Sequence, residues 1–439
     1  MVPLTTDDRQ FLKFVYRQLE DRPLDPGDPR YQPPYDHPGC EDPIQLLQND
    51  IEYADSESLN LFSGFSGSGK TTELFRLRQR LTEAGYAVLY ADALKYINPA
   101  SPIEISDLLI VLAGAFGDAL DEEHQIRLKG ETYWDRFRNW LTTTDVNLKE
   151  IGLKTGADIK LELRTTPSFR QKLTETLSGR IGELHEDVTN FFEEGFTAIR
   201  QRVGSDTKVV FLFDSLEQIR GSLSEEEKVT HSVEVLFSND LRLLEIPNLH
   251  VVYTVPPWLK FVLPGVPMVV LPCLRTWNNN DERSVCMSGR DALRSMIRRR
   301  FGAEGLTRFF GPDAFARADR IIELSGGHFR DLLLLLHETV LRATDLPVSD
   351  DAIDRAILAV RSSFLPVSLD DARWLAEIER ERSTLLQTRK PGEIGRLTRF
   401  LDTHLVLYLR NGEEWYDVHP LVRDEVQKIA RSRRTAPAE

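Results

Sequence analysis

Residues 59–72 read LNLFSGFSGSGKTT, in which an apolar run leads into a glycine-rich loop. From Gly64 to Thr71 the sequence fits the pattern G-x-x-x-x-G-K-[ST] at every fixed position. Glycines let successive backbone N–H groups turn inward around a polyanion, and the helix that follows directs its positive end at the same charge. The stretch therefore predicts a site for a nucleoside triphosphate.

Each part of this loop has an expected role. Lys70 would reach the β and γ phosphates, and the Thr71 hydroxyl would ligate Mg²⁺. Residues 73–81 have helical spacing and Gly85 is a suitable helix end, so the flanks argue against a chance match. The remaining residues expected to bind the nucleotide are Gly64, Ser66, Gly67, Ser68, Gly69 and Thr72.

Composition sets broad limits. The length of 439 residues suggests two to four domains, and the formal net charge of −14 argues against a protein that mainly coats nucleic acid. The three cysteines are sparse and lack C-x-x-C spacing, which favours a reduced, intracellular protein without a cysteine metal site. The N-terminal sequence has no signal pattern, and no apolar stretch is long enough to span a bilayer. We expect a cytoplasmic protein.

Strand signals occur in the order that an α/β nucleotide domain requires. Apolar runs without alternation are typical of parallel strands buried on both faces. We therefore predict a P-loop domain over residues 44–275, preceded by a helix and linker over 1–43. The predicted strands are Leu59–Ser63, Tyr86–Ala91, Val209–Phe213, His250–Val255 and Met268–Leu271.

An insertion is predicted at about residues 121–202. The alternating stretches 146–151 and 159–163 predict a β-hairpin, and the apolar stripe over 168–202 predicts one long helix that packs on a core. Further along, residues 276–365 are helical in pattern and predict a lid. Residues 366–439 combine helices with two strands around Asn411-Gly412, which predicts a winged-helix domain.

Acidic residues follow the third strand. Asp214 ends the apolar run Val209–Phe213, the Walker B pattern, and would hold Mg²⁺ opposite Thr71. An exposed acid at a strand end is the alternative. Glu217 would polarise the attacking water as general base, or it would be a helix N-terminal acid that favours the helix dipole.

These motifs resemble those of NACHT modules in the STAND group of signalling ATPases, which are relatives of the AAA+ ATPases. The resemblance lies in Asp214-Ser215-Leu216-Glu217 and in the glycine-rich loop from Gly64 to Thr71, which is the Walker A motif. Residues 325–332, SGGHFRDL, resemble the sensor-2 helix of origin-recognition and Cdc6-like proteins, which implies that Arg330 reaches the γ-phosphate. Thr254 occupies the sensor-1 place. The segment 417–423, DVHPLVR, resembles the winged-helix motif of STAND proteins.

The winged-helix resemblance implies that His419 contacts the β-phosphate of ADP and locks an inactive state. A buried histidine with satisfied nitrogens is the alternative. Val255-Pro256-Pro257 departs from the family, in which an arginine often stands beside the sensor-1 residue, so the arginine finger is unassigned. Arg275 and the cluster Arg294, Arg298, Arg299 and Arg300 are candidates, although charge runs on helices are usually solvated.

The resemblance implies an ATPase switch that uses ATP, ADP and Mg²⁺. It also implies a homo-oligomer and a separately encoded effector or sensor protein, in bacterial defence or signalling. The alternative is a Cdc6-like or transposition-type ATPase that loads on DNA through its winged helix. A small-molecule kinase with the same loop is a third class, which the long separation of the Walker motifs disfavours.

We expect Lys70→Ala to lower the affinity for ATP by about a hundred-fold or more. The β and γ phosphates lose the ammonium group that would donate charge-assisted hydrogen bonds to them. A nucleotide titration measures the effect, and wild-type affinity in the variant would remove this loop as the binding site.

Overall fold

The computed structural model describes residues 4–35, 40–143, 156–220, 225–386 and 391–432. The chain divides into two compact units. The sheet unit consists of Ile44–Ser63 and Glu73–Val270. The lid unit consists of Met1–Pro43, Gly64–Thr72 and Leu271–Glu439. The glycine-rich loop thus groups with the C-terminal helices and not with the strand that precedes it.

In the described part of the chain, five strands form one sheet in the order β2-β3-β4-β1-β5. The pairs β1–β4, β2–β3 and β3–β4 are parallel. The predicted α/β class with a parallel sheet is confirmed, and each strand lies within two residues of its predicted ends. The strands are β1 (Ser58–Gly64), β2 (Ala87–Asp92), β3 (Val209–Asp214), β4 (Leu249–Val255) and β5 (Val269–Leu271).

Burial explains the sequence of these strands. Every residue of β3 and of β4 is buried, so neither strand has a solvent face that would require alternating polar residues. The register places Asp92 opposite Asp214 and Ser63 opposite Val255. Four strands therefore end at the same edge of the sheet, and the chain leaves this edge at Gly64 to form the loop.

Helices make up most of the remaining described residues. Gly85, with φ of 90°, follows α3 and fills the predicted helix end. In chain order the helices are α1 (Thr6–Gln18), α2 (Pro43–Tyr53), α3 (Lys70–Glu83), α4 (Ile105–His124), α5 (Tyr133–Thr143), α6 (Gly156–Thr165), α7 (Pro167–Leu177), α8 (Ile181–Val203), α9 (Glu226–Ser238), α10 (Leu259–Val262), α11 (Met287–Phe301), α12 (Gly305–Phe310), α13 (Ala314–Leu324), α14 (Phe329–Arg342), α15 (Asp350–Ser362), α16 (Leu369–Glu381), α17 (Pro391–Asp402) and α18 (Arg423–Arg431).

The predicted strand over 159–163 is wrong, because these residues belong to helix α6. Ile159 and Leu163 are buried and Leu161 is exposed. Burial at positions four apart is the period of a helix, and five alternating residues are too few to distinguish it from a strand. The other arm of the expected hairpin, residues 146–151, lies outside the described residues.

The single long helix predicted over 168–202 is divided into α7 and α8. The break falls at Ser178-Gly179-Arg180, where Gly179 weakens the helix. The predicted core packing of the apolar stripe is confirmed. The buried members are Phe169, Leu173, Leu177, Leu184, Val188 and Phe191.

The lid unit contains α11–α18 and an antiparallel hairpin of β6 (Val406–Asn411) and β7 (Glu413–Val418). Gly412, with φ of 75°, allows the tight turn between them. Helices α16 and α18 pack on each other, and α16 also contacts β7. These are the elements that the winged-helix prediction requires, and that assignment stays a prediction. Within the described ranges we find no helix with the length and apolarity needed to cross a membrane.

Close packing of α4 on α5 gives a test of the core. A Cβ on Gly114 would lie 2.2 Å from Cζ2 of Trp134, whose indole N–H donates to Asp118 Oδ1 at 3.1 Å. We expect Gly114→Ala to lower the free energy of unfolding by about 1–2 kcal/mol, because overpacking outweighs the gain in helix propensity. Urea denaturation would measure the loss. Gly182→Ala, on a helix with open space around the glycine, is the control, and equal stability of the two variants would contradict this packing.

Candidate functional site

The glycine-rich loop has the curled backbone that its sequence predicts. Gly67 has φ of 79° and Gly69 has φ of 94°, conformations that other residues rarely adopt. The N–H of Ser68 donates to the Phe65 carbonyl at 3.1 Å and closes a turn between them. The buried Ser68 hydroxyl has no hydrogen-bond partner among the described residues, so it is available to a phosphate oxygen.

Lys70 lies inside this curl. Its side chain is buried, and Nζ donates to the carbonyls of Gly64 and Phe65, each at 2.9 Å. The loop thus holds one positive charge against its own backbone. An ammonium group is a strongly hydrated cation, and its burial is expensive unless oxygen atoms replace the lost water.

Two threonines follow the lysine at the start of α3. Thr71 is half-buried, and its hydroxyl is an oxygen ligand of the type that Mg²⁺ prefers. The Thr72 hydroxyl accepts a hydrogen bond from the N–H of Leu24 at 3.1 Å, which attaches the N-terminal segment to the start of the helix. No sequence pattern indicated this attachment.

The first turn of α14 contacts the loop. The N–H of Arg330 donates to the Gly67 carbonyl at 3.2 Å, and the guanidinium Nη1 donates to the Ser66 hydroxyl at 2.7 Å. A Cβ on Gly67 would lie 2.5 Å from the Arg330 Cβ, so this contact also requires glycine. The predicted sensor-2 arginine is therefore next to the predicted phosphate loop.

Arg330 has a second partner. Its Nε donates to Asp21 Oδ2 at 2.5 Å, in the segment that follows α1. Both side chains are more than 40% exposed, so the pair is screened by solvent. An anionic phosphate would compete with Asp21 for the same guanidinium group.

In the sheet unit, Asp214 has a fixed orientation. Ser215 adopts a left-handed conformation with φ of 74°, and its N–H donates to Asp214 Oδ1 at 2.8 Å. The Tyr90 hydroxyl donates to Oδ2 at 3.0 Å from the neighbouring strand β2. Burial and the charge of Asp214 raise the pKa of Tyr90, so the phenol stays a donor at neutral pH.

Tyr90 is a site residue that the sequence analysis missed. The only available signal was its position two residues before the end of β2, on the face that Asp92 shares, and Asp92 lies opposite Asp214. Strand order cannot be read from one sequence, so the partner of Asp214 became visible only in the folded sheet.

Two other predicted site residues lie at the same edge of the sheet. Glu217 is buried in a short 3₁₀ turn, Leu216–Gln218, directly after the strand that carries Asp214. Thr254 is fully buried near the end of β4, and its hydroxyl has no hydrogen-bond partner among the described residues. Their roles as general base and sensor stay predictions.

His419 lies in a buried polar cluster of the lid unit. Its Nδ1 accepts from the N–H of Leu421 at 3.2 Å, and its Nε2 lies 3.2 Å from Asp331 Oδ2. Burial lowers the pKa of His419, although Asp331 opposes this effect, and the side chain is completely inaccessible. Nδ1 thus has a hydrogen-bond partner, as the alternative interpretation expects, whereas Nε2 has no aligned hydrogen bond among the described residues, and a contact with ADP stays a prediction.

Asp331 is the centre of this cluster. Its Oδ2 lies 2.8 Å from His328 Nδ1 and 3.2 Å from His404 Nδ1. Burial raises the pKa of Asp331, but the three histidines outweigh burial and hold it well below its usual value. Burial, together with the nearby His328, lowers the pKa of His404 to about 4, so this ring is neutral at neutral pH.

Three of the arginine candidates for a trans-acting finger have partners within the lid unit. Arg294 binds the carboxylate of Asp319, and Arg299 Nε donates to Gln32 Oε1 at 2.9 Å. Arg300 is buried, and burial lowers its pKa to about 10. These contacts give Arg294, Arg299 and Arg300 structural roles.

No protein-family model matches this chain, and no curated protein matches it in sequence. Among solved structures, it is similar to the Walker-type ATPase paby2304 of Pyrococcus abyssi, with 14% identity, a TM-score of 0.41, and 93% of this chain and 99% of that chain covered. It is also similar to the ORC2 protein of Aeropyrum pernix in its ADPNP–ADP complexes, at 12% identity and a TM-score of 0.40 over 94% and 97%. The Cdc6 protein of Pyrobaculum aerophilum aligns at 12% identity and a TM-score of 0.32 over 88% and 93%. With identities of 12–14% and TM-scores of 0.32–0.41, these similarities assign no function to this chain.

We expect Tyr90→Phe to raise the Mg²⁺ concentration needed for half-maximal ATP hydrolysis about ten-fold, because a partner that orients the Asp214 carboxylate is lost. Binding of ATP without Mg²⁺ should be unchanged. Tyr86→Phe, which removes a hydroxyl just before the same strand, is the control. An unaltered Mg²⁺ requirement in Tyr90→Phe would show that Asp214 needs no such support.

Proposed function

We propose that this chain is an ATP-binding and ATP-hydrolysing molecular switch of the STAND and AAA+ type. The observation that carries the proposal is the contact of α14 with the glycine-rich loop. Arg330 reaches the Ser66 hydroxyl and the Gly67 carbonyl of the same loop that encloses Lys70. A cation from a separate helix at a phosphate loop is an arrangement that can distinguish ATP from ADP.

The residues of the loop bind the phosphates. Lys70 exchanges its contacts with two backbone carbonyls for the β and γ phosphates, and the Ser68 hydroxyl donates to a phosphate oxygen. Thr71 and Asp214 are the oxygen ligands for Mg²⁺, which neutralises charge on the phosphates when bound. Glu217 orients the attacking water, and Thr254 contacts the γ-phosphate.

Switching follows from differential contacts. With ATP bound, Arg330 pairs with the γ-phosphate, and with ADP this partner is absent, so the two nucleotides favour different positions of α14. The resemblance to STAND proteins supports the remainder of the proposal. The switch acts in the cytoplasm by nucleotide-controlled homo-oligomerisation, or by activation of a separately encoded effector or sensor protein, in bacterial defence or signalling.

Charge pairing disfavours the alternative of a DNA-loading ATPase. Arg396 and Arg399 lie on α17, which precedes the hairpin, the place of a DNA-reading helix in winged-helix domains. Both arginines pair with Asp371 of α16. Guanidinium groups already bound to a carboxylate release fewer counterions on contact with DNA. The net charge of −14 also disfavours binding to DNA.

We expect Arg330→Ala to reduce the preference for a slowly hydrolysed ATP analogue over ADP about ten-fold, because a charge-assisted hydrogen bond to the γ-phosphate is lost. Competitive titration measures the preference, and light scattering measures the size with each nucleotide. Arg342→Ala, at the other end of α14 and paired with Glu338, is the control.

An unaltered preference in Arg330→Ala would remove this residue as the sensor. Absence of both ATP turnover and a nucleotide-dependent change in size in the wild type would overturn the proposed switch. Strong stimulation of turnover by duplex DNA would favour the DNA-loading alternative.

A further inference from the structure

The buried cluster around Asp331 contains the donor atoms of a metal site. His328, Asp331 and His404 are all buried, and one ligand atom from each lies within 4.8 Å of the others. They come from separate parts of the lid unit: His328 and Asp331 from the start of α14, and His404 from the residues between α17 and β6. A buried carboxylate with two imidazoles is a common set of ligands for Zn²⁺.

The hydrogen bond on the far side of His328 fixes its tautomer. Nε2 lies 3.0 Å from the Ser66 carbonyl oxygen, and a carbonyl only accepts, so Nε2 carries a hydrogen. In the neutral tautomer that carries this hydrogen, Nδ1 has a lone pair, and Nδ1 lies 2.8 Å from the carboxylate of Asp331. Two electron-rich atoms at this distance repel each other unless a cation binds both.

At His328 the geometry favours a metal ion over a shared proton, whereas His404 Nδ1 is aligned with Asp331 Oδ2 at 3.2 Å as in a hydrogen bond. A shared proton requires Nδ1–H to lie on the line to the oxygen, and His328 Nδ1 is buried without an aligned hydrogen bond to any described residue. A metal ion binds from a position off that line. Tetrahedral Zn²⁺, with bonds of about 2.0–2.2 Å, places its ligand atoms about 3.4 Å apart. The observed separations of 2.8 and 3.2 Å from Asp331 Oδ2 need an adjustment of a few tenths of an ångström.

Outer contacts of the cluster match those of a metal site. Metal-binding histidines usually donate their other N–H to a backbone carbonyl, as His328 does to Ser66. His419 fills a different role. Its Nδ1 accepts from the N–H of Leu421, so Nε2 of the neutral ring carries the hydrogen, and Nε2 lies 3.2 Å from Asp331 Oδ2 without an aligned hydrogen bond. The Phe65 ring lies against both His328 and His404 and limits access of water.

We propose that His328, His404 and Asp331 bind one Zn²⁺ ion through three protein ligands, with His419 next to the Asp331 carboxylate. The ion joins the start of α14 to the residues before β6. Because His328 also holds the Ser66 carbonyl, the ion fixes the helix turn that carries Arg330 against the glycine-rich loop.

Metal analysis of the full-length chain tests the proposal. The protein is expressed with added zinc, freed of any affinity tag and desalted, and its metal content is measured by mass spectrometry. We expect about one zinc per chain. After removal by a chelator, titration with Zn²⁺ should restore one equivalent and raise the thermal midpoint in a saturable way.

Variants separate ligands from supporting residues. His404→Gln should weaken Zn²⁺ binding by more than about a hundred-fold, whereas His419→Leu should keep one equivalent at saturation with affinity about ten- to a hundred-fold lower. His231→Gln, at an exposed histidine, should bind as the wild type does.

The titration of the wild-type protein with Zn²⁺ tests the proposal even if a variant fails to fold. Absence of stoichiometric zinc in the purified chain, together with no saturable effect of Zn²⁺ on the chelated protein, would overturn the proposal.

Discussion

The contact between the first turn of α14 and the glycine-rich loop fixes the loop and this helix to each other. Ser66 is held twice, through its carbonyl by His328 and through its hydroxyl by Arg330, and the backbone of Arg330 binds Gly67. Gly67 satisfies two demands together, a left-handed backbone and the absence of a Cβ. The loop conformation is therefore a joint property of its glycines and of a helix more than 250 residues further along the chain.

The size of this interaction suits a switch. A neutral hydrogen bond contributes about 0.5–1.5 kcal/mol and one to a charged group about 1.5–3 kcal/mol, so these three contacts together amount to a few kcal/mol. Partial exposure of Arg330 reduces its share. In the proposed switch a bound γ-phosphate would provide a differential interaction of the same order, and about 5.5 kcal/mol moves a two-state equilibrium from 1:99 to 99:1. A much stronger contact would hold α14 in place regardless of the nucleotide.

Features of the fold could be predicted from the sequence wherever a single segment determines its own local structure. Buried strands such as β3 and β4 appear as continuous apolar runs, and the spacing around Lys70 identifies the loop without any tertiary information. The strand predicted over 159–163 failed because a short alternating stretch also fits a helix with Ile159 and Leu163 inside. Tyr90 beside Asp214 could not be foreseen, since their contact depends on the order of strands in the sheet.

The cluster around Asp331 could not be predicted from the sequence either, because residues 328, 331, 404 and 419 meet only in the folded chain. Burial of the Asp331 carboxylate costs free energy, and polar partners around it lower this cost. His419 Nε2 lies 3.2 Å from Asp331 Oδ2, and His328, which adjoins the same carboxylate, holds the Ser66 carbonyl of the glycine-rich loop. A series of contacts therefore links the end of the C-terminal hairpin to this loop through side chains that are all buried.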